Sequence, residues 1–407
     1  MSTTEDTPDA KMTDEEYGAH RAAGALWAGA SVLITNVRGE VLVEHVDYLD
    51  GTCLLPGGAV DPGESPARAA ARELVEELGV SVVIDRGLAV DHVSPEAVGA
   101  PPEMRFPGEI LHVFDGGVWD AGRIAAIRLP GHEVVSVEFV EPARLPDLLY
   151  PRDARRALSA LRARVNAAGP VLLEDGRPLA PTALDRTGVL RTPRARHHHP
   201  FHPAQVPDGV SHIRQSWGWV FAPDGRVLVL LAPDTGAACL PGGTPEPDDR
   251  GDPVATLRRE AAGKAAAELT SITYVGYLSG TAGDSGEKPR SGSGSGSASA
   301  WASASASASA SASASASASA YGAGSAGPYA RVRYAALLKG LGEPPVDPAT
   351  GRTHVRILAT PEQALEFFDW GPSATEQLAA VHRARERLRI PRAARRAVTE
   401  LPGRMSW

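Results

Sequence analysis

Two stretches of this chain occur twice. Arg38-Gly-Glu-Val-Leu-Val43 returns as Asp224-Gly-Arg-Val-Leu-Val229, and Cys53-Leu-Leu-Pro-Gly-Gly58 returns as Cys239-Leu-Pro-Gly-Gly243. One unit used twice divides the 407 residues into two domains of ordinary size and excludes a single small module. Each copy opens on an apolar run, Ser31 to Thr35 or Trp217 to Phe221. A turn ending in Gly39 or Gly225 and a second apolar run follow, the pattern of a β-hairpin. Cys53 and Cys239, the only cysteines, then fall at equivalent positions of separate domains. No disulfide is expected between them, and a reducing cytoplasm is the expected setting.

In the first copy a helix is expected over Ser65 to Leu78, then strands at Val80 to Ile84, Leu88 to Val93, Glu109 to Val113 and Val134 to Val140. A closing helix is expected over Arg152 to Val165, where Ala157, Leu158, Leu161 and Val165 recur at helical spacing. The second copy resumes its strands at Ala330 to Leu338 and ends in a helix over Ala374 to Arg389, started by Gly371-Pro372-Ser373. The expected organisation is an acidic disordered tail over 1–20, a catalytic domain over 21–165, a Pro- and His-rich linker over 166–208 and a second domain over 209–400. Alternating Ser and Ala over 291–327 reads as a disordered insertion in a surface loop, since loop length adds only logarithmically to closure cost.

The net charge of −8 is uneven, because residues 1–165 hold 27 Asp+Glu against 15 Lys+Arg, a net of −12. An acidic first half argues against nucleic acid as partner and offers a place for cations. The acidic N-terminus is the opposite of a secretory signal. The longest uncharged stretch, Ser291 to Ala330, lacks the ~20 predominantly apolar residues of a membrane helix. A soluble cytoplasmic protein without a membrane partner is expected. Arginine supplies nearly all the positive charge, which with the alanine excess points to a GC-rich bacterial source.

The segment from Gly58 to Val80 carries the chemistry. On a helix, Glu73, Glu76 and Glu77 fall within a ~100° arc, while Ala71, Leu74, Val75 and Leu78 occupy the other side. Like charges at these spacings repel, and a divalent cation reverses the sign. Carboxylate oxygens with room for water and phosphate suit Mg²⁺, or Mn²⁺ as its substitute. Ser65-Pro66 offers an N-cap with proline at the first helical position, and Gly79 can take the positive φ of a C-cap. Gly57-Gly58 brings bare backbone close to the helix, where a carbonyl can add a metal ligand. Arg72, four residues before Glu76 and within reach of Glu64, is placed to fix the loop against the helix.

Taken together, Gly58, Glu64, Arg72, Glu73, Leu74, Glu76, Glu77, Gly79 and Val80 resemble the Nudix box at all nine of its specified positions. The hairpin before the box and the strands after it have the order that fold requires, so the resemblance spans roughly residues 22–165. It implies an α+β architecture, an α/β/α sandwich with a mixed β-sheet between helices, present in both copies. It also implies hydrolysis of a nucleoside diphosphate linked to a further group, giving a nucleoside monophosphate and the phosphorylated group. Carried over by position, the Gly58 carbonyl, Glu73, Glu76 and Glu77 hold Mg²⁺. Glu73 or Glu77 takes the proton from water, with Glu133 as the alternative base, and Arg72 assists. The competing reading is a nucleotide-sensing protein that uses the same fold without hydrolysis.

The second copy departs from the pattern. Its loop after Gly243 is two residues longer, Arg259-Glu260 is kept, and the Glu-Glu pair becomes Gly263-Lys264. A domain without catalysis is expected there, with pairing as an intramolecular pseudo-dimer or in a homodimer, substrate contacts, a regulatory nucleotide and a remnant that only packs as the alternatives for its role. The His-rich patch over Arg196 to His202 reads as linker, the arginine run from Arg383 to Arg396 as a solvated face, and Phe367, Phe368 and Trp370 as core. Asp91-His92 and the Asp115-Gly116-Gly117 turn lie where substrate-specificity loops are expected.

Overall fold

The computed structural model describes residues 26–47, 51–98, 105–130, 133–167, 169–186, 199–210, 212–233, 236–281, 327–347, 351–368 and 373–407. The acidic tail, the Ser/Ala tract to residue 326, residues 196–198 of the His patch and Trp370 lie outside them. The chain forms two compact units. The first comprises Met1–Phe139, Pro146–Ala160 and Pro170–Leu179, and the second comprises Val140–Leu145, Leu161–Gly169 and Ala180–Trp407.

In the first unit, β1 (Trp27–Asn36) and β2 (Val41–Val46) form the expected hairpin, closed by Gly39 at φ 78°. Strands β3 (Cys53–Leu54) and β4 (Gly57–Ala59) pair with β2 and β1. Helix α1 (Pro66–Leu78) follows, then β5 (Gly87–Val93), β6 (Glu109–Trp119) and β7 (Val134–Val140). Parallel pairing of β1 with β6, between the antiparallel pairs β1–β2 and β5–β6, makes the sheet mixed. Ala30, Val32, Ile34 and Leu42 on one sheet face bury Ala69, Ala70, Leu74 and Leu78 of α1. Helix α2 (Pro151–Asn166) is tied to the opposite face by Arg156, whose Nε lies 2.7 Å from the fully buried Asp91 of β5. The result is the expected sandwich.

The segment expected to be linker is partly ordered. β8 (Val171–Glu174) and β9 (Arg177–Pro178) extend the first sheet beyond β5. Their turn is fixed by the Gly176 N–H donating to Asp91 and by Asp175 accepting from Ser94. Residues 80–86, by contrast, form no strand. Val80, Val82 and Ile84 pack on the α1 core while Val83 points to solvent, so the alternation is real but no ladder accompanies it.

The second unit repeats the plan. β11 (His212–Phe221), β12 (Val227–Leu231), β13 (Ala238–Cys239), β14 (Gly242–Gly243), α3 (Pro253–Ala265), β15 (Ala267–Gly280), β16 (Tyr329–Leu341) and β17 (Val355–Ala359) pair as their first-unit counterparts do, and β10 (Phe201–His202) edges β15. Again the first and penultimate strands of this set, β11 and β16, run parallel. Leu257, Ala261 and Ala265 of α3 pack on one face. Helices α4 (Pro361–Phe367) and α5 (Ala374–Arg387) cover the other, burying Phe367, Phe368, Ala380, Val381 and Ala384. The arginine run is not simply a solvated face: Arg385 is buried, while Arg392 and Arg395 bind Glu362 and Glu366 and Arg396 binds Asp224.

The cysteines are free but not equivalent. Cys53 lies opposite His45, whereas Cys239 lies opposite Leu230 and matches Leu54, which faces Glu44. The shorter Cys-Leu-Pro-Gly-Gly run shifts the second cysteine by one place, and in a strand one place is the other face.

Candidate active site

Helix α1 begins and ends as its sequence demands. Ser65 is extended at φ −88°, ψ 150° and accepts from the Arg68 N–H, Pro66 opens the first turn, and Gly79 at φ 66° closes the helix on the Leu74 and Val75 carbonyls. The Gly-Gly strand lies against it. Gly57 has φ 134°, and a Cβ there would sit 2.1 Å from the Ala30 carbonyl oxygen, so only glycine fits. A Cβ on Gly58 would meet Glu73 Oε1 at 2.5 Å, which measures how closely this backbone approaches the carboxylate.

Arg72 hydrogen-bonds four partners and lies 3.9 Å from a fifth, Asp61. Its Nη2 donates to the Ala59 carbonyl at 2.9 Å and to Glu64 at 3.1 Å, and its Nη1 donates to Glu73 and Glu76, each at 2.9 Å. The bond to Glu64 is the chief reason the guanidinium is held above its ordinary pKa and the Glu64 carboxyl below its own. Glu76 stays more than half exposed. Glu77 turns the other way and accepts from the Gly57 N–H at 2.9 Å.

Sequence reasoning missed one member. Glu44 on β2 is 1% exposed, and its carboxyl lies within hydrogen-bond reach of Glu77. Burial, then Glu77, Glu133 and Glu73, push it up to about 9. Burial lifts Glu77 to about 8, opposed by the Gly57 N–H and reinforced by Glu73, Glu133 and Glu76. Burial also raises Glu73, against the opposing pull of Arg72. Glu133, just ahead of β7, thus reaches the field of Glu44, Glu73 and Glu77. The signal for Glu44 was in the strand: a lone acid in Val-Leu-Val-Glu-His-Val, two places from the core residue Leu42 and therefore on its face.

The donor chemistry fits a hard divalent cation. The groups are carboxylates beside a bare glycine backbone, burial and then mutual repulsion raise three of them, and Glu44 Oε1 is buried with no hydrogen-bond partner. They are not preassembled: among the described residues no three His, Cys, Asp or Glu side chains already form a metal cage. Arg72 holds Glu73 and Glu76, while Gly57 holds Glu77.

Asp91-His92 and Asp115-Gly116-Gly117, expected in loops, lie within strands β5 and β6. Asp91 is the buried partner of Arg156. Asp115 to Gly117 lie inside β6 at a bulge opposite Leu33 and Thr35, where the Gly117 N–H donates to Asp115.

In the second unit Arg259 repeats the latch, donating to the Thr244 carbonyl and to Glu246, Asp249 and Glu260. Lys264 takes the place of Glu77. Its Nζ lies 2.9 Å from the Gly242 carbonyl and 3.0 Å from Glu260, and the residue is 8% exposed.

A three-layer domain that presents a carboxylate-bearing helix beneath a Gly-Gly strand, with an arginine latching the two, has the architecture of an anhydride hydrolase. A profile of the NUDIX domain matches residues 25–161. A putative 8-oxo-dGTP diphosphatase of Bacillus subtilis (strain 168) is 30% identical over 131 residues, covering 31% of this chain and 75% of that protein. An RNA pyrophosphohydrolase of Brucella ovis is 32% identical over 143 residues, covering 32% of this chain and 73% of its own. The chain belongs to the Nudix family and is a pyrophosphohydrolase of the Nudix type. The solved MutT protein of Methanosarcina mazei Go1 aligns at 24% identity over 32% of this chain and 92% of its own, with a TM-score of 0.26.

Proposed function

We propose that the first unit hydrolyses the pyrophosphate bond of a nucleoside diphosphate linked to a further group, releasing a nucleoside monophosphate and the phosphorylated group. The observation that carries this reading is the placement of Glu73 and Glu77 against the Gly57-Gly58 backbone, with Glu44 and Glu133 in their electrostatic field and burial and mutual repulsion raising Glu44, Glu73 and Glu77. The relatives named above are, by name, a putative 8-oxo-dGTP diphosphatase and an RNA pyrophosphohydrolase, which supports a phosphoanhydride as the bond cleaved.

Glu73, Glu76, Glu77 and the Gly58 carbonyl would hold Mg²⁺, or Mn²⁺ in its place. When bound, the ion lowers the pKa of water and neutralises phosphate charge. Arg72 holds the loop of Ala59 and Glu64 against α1, so that backbone and carboxylates face the substrate together. Glu77 Oε2 is fixed by the Gly57 N–H, which leaves Oε1 to receive the proton from the attacking water. Glu133 is the alternative base.

The second unit is read as the same fold without catalysis, because Lys264 places an ammonium among its remaining donors, Glu260 and the Gly242 carbonyl. No helix among the described residues is long and apolar enough to cross a membrane, and with both cysteines free a cytoplasmic setting is inferred.

The test is product release from a panel of nucleoside diphosphate derivatives, with and without Mg²⁺. Glu77→Gln is expected to lower turnover by about 10²–10⁴-fold. Full Mg²⁺-dependent turnover in Glu77→Gln, or equal turnover in chelator, overturns the assignment.

A further inference from the structure

We propose that Glu44, on β2 and outside the box, is a further ligand for the divalent cation of the first unit. The proposal rests on the cation-dependent reading above. Three observations carry it. Glu44 is 1% exposed, yet its Oε1 has no hydrogen-bond partner, an arrangement that costs free energy unless something electropositive occupies the site in the working protein. Its carboxyl lies within hydrogen-bond reach of Glu77, so the unpartnered oxygen belongs to a side chain aimed into the cluster. Arg72, the basic group latched across the box, spends its bonds on Ala59, Glu64, Glu73 and Glu76 instead.

The second unit supplies an internal control. Glu44 lies across from Leu54, two residues before Pro56-Gly57-Gly58. Leu230 lies across from Cys239, two residues before Pro241-Gly242-Gly243. The positions correspond, and the buried acid has become leucine in the unit where Glu77 has become lysine. There the Lys264 ammonium already sits between Glu260 and the Gly242 carbonyl. The acid on β2 is present where positive charge must come from outside and absent where it is built in. Structural acids that merely brace a fold have no reason to vanish together with the box carboxylates.

The full-length protein, stripped with chelator, is titrated with Mn²⁺ and free metal is read by electron paramagnetic resonance. Glu44→Gln and Glu44→Leu are each expected to weaken Mn²⁺ binding at least about tenfold. Leu230 shows that leucine fits this place in the fold, and circular dichroism with thermal unfolding checks that both variants remain folded. Wild-type Mn²⁺ affinity in either folded variant, with binding lost in Glu77→Gln, overturns the role of Glu44 and leaves the cation reading standing. A wild-type protein that binds no Mn²⁺ even at millimolar metal overturns both.

Discussion

Lys264→Glu returns to the second unit the carboxylate that the first unit carries at this place, and the expected outcome is a second unit that lacks a cation. The ammonium lies 3.0 Å from Glu260 Oε2 and 2.9 Å from the Gly242 carbonyl, with 8% exposure. At that separation and an effective dielectric of 20 the attraction is about 5–6 kcal/mol before desolvation. Removing one partner of a buried pair costs about 3–5 kcal/mol. Arg259 remains 2.9 Å from Glu260 and answers part of the orphaned charge, which favours the lower end, about 3 kcal/mol. At about 2–4 °C per kcal/mol for a unit of this size, the second unit should melt about 6–12 °C lower. Differential scanning calorimetry of the full chain in chelator measures the shift. Mn²⁺ should recover part of it in the variant and leave the wild-type second unit unmoved. Lys264→Met separates lost attraction from added repulsion and should fall less. A Lys264→Glu protein that melts with wild type in chelator refutes the argument, since an ammonium that held this site together could not be reversed in sign without cost.

Two further outcomes follow from buried charge in the first unit. Glu44 and Glu77, raised from 4.5 to about 9 and about 8, favour the protonated folded state. Their contribution to stability is therefore complete below about pH 4.5 and is lost as pH rises through about 8 to 9. Denaturant unfolding of the metal-free protein across that window should show a decline that Glu77→Gln flattens, and a level profile for the wild type would contradict it. Asp91→Asn leaves Arg156 buried with only Asp153, and is expected to cost about 3–5 kcal/mol by denaturant unfolding. Replacing both partners, Asp91→Leu with Arg156→Met, should recover most of that loss, and a double variant no better than the single would show that packing rather than charge set the cost.

The helix ends were legible because each is fixed by neighbours in sequence: Ser65 bonds its own first turn, and Gly79 supplies a backbone conformation that few other residues tolerate. The box residues were legible for the same reason, since one helix turn places Glu73, Glu76 and Glu77 together. Glu44 was harder, because its meaning depends on β2 lying beside α1, a relation between segments more than twenty residues apart. The strand expected at Val80 to Ile84 fails for a related reason. Alternation reports which side chains are buried, and Val80, Val82 and Ile84 are indeed turned to the core, but a ladder needs a free neighbouring edge as well. The hairpin of β8 and β9 was hidden in the opposite sense. Prolines at 170 and 178 read as linker, yet they flank a strand whose order comes from Asp91, eighty-five residues before Gly176.

Comparing the two units separates what holds this site from what acts in it. Both keep the Gly-Gly strand, the first glutamate of the helix and the arginine before it. In both, that arginine reaches the carbonyl one residue past the glycines, Ala59 or Thr244, and the acids of the following loop. The second loop is two residues longer, and Asp249 and Glu246 take over the work of Glu64 without disturbing the latch. The latch is therefore a fold device common to both units, kept where the carboxylates around it are replaced, and Arg72 belongs with it rather than with the proton-transfer groups. The positions that change are Glu44 to Leu230, Glu76 to Gly263 and Glu77 to Lys264. Each change removes a carboxylate, and one supplies a cation, so together they relieve the repulsion that the first unit retains. The carboxylates that the first unit keeps and the second replaces include two that a divalent cation would be held by in the proposed reading, Glu76 and Glu77, which is the physical case for testing the first unit for metal dependence.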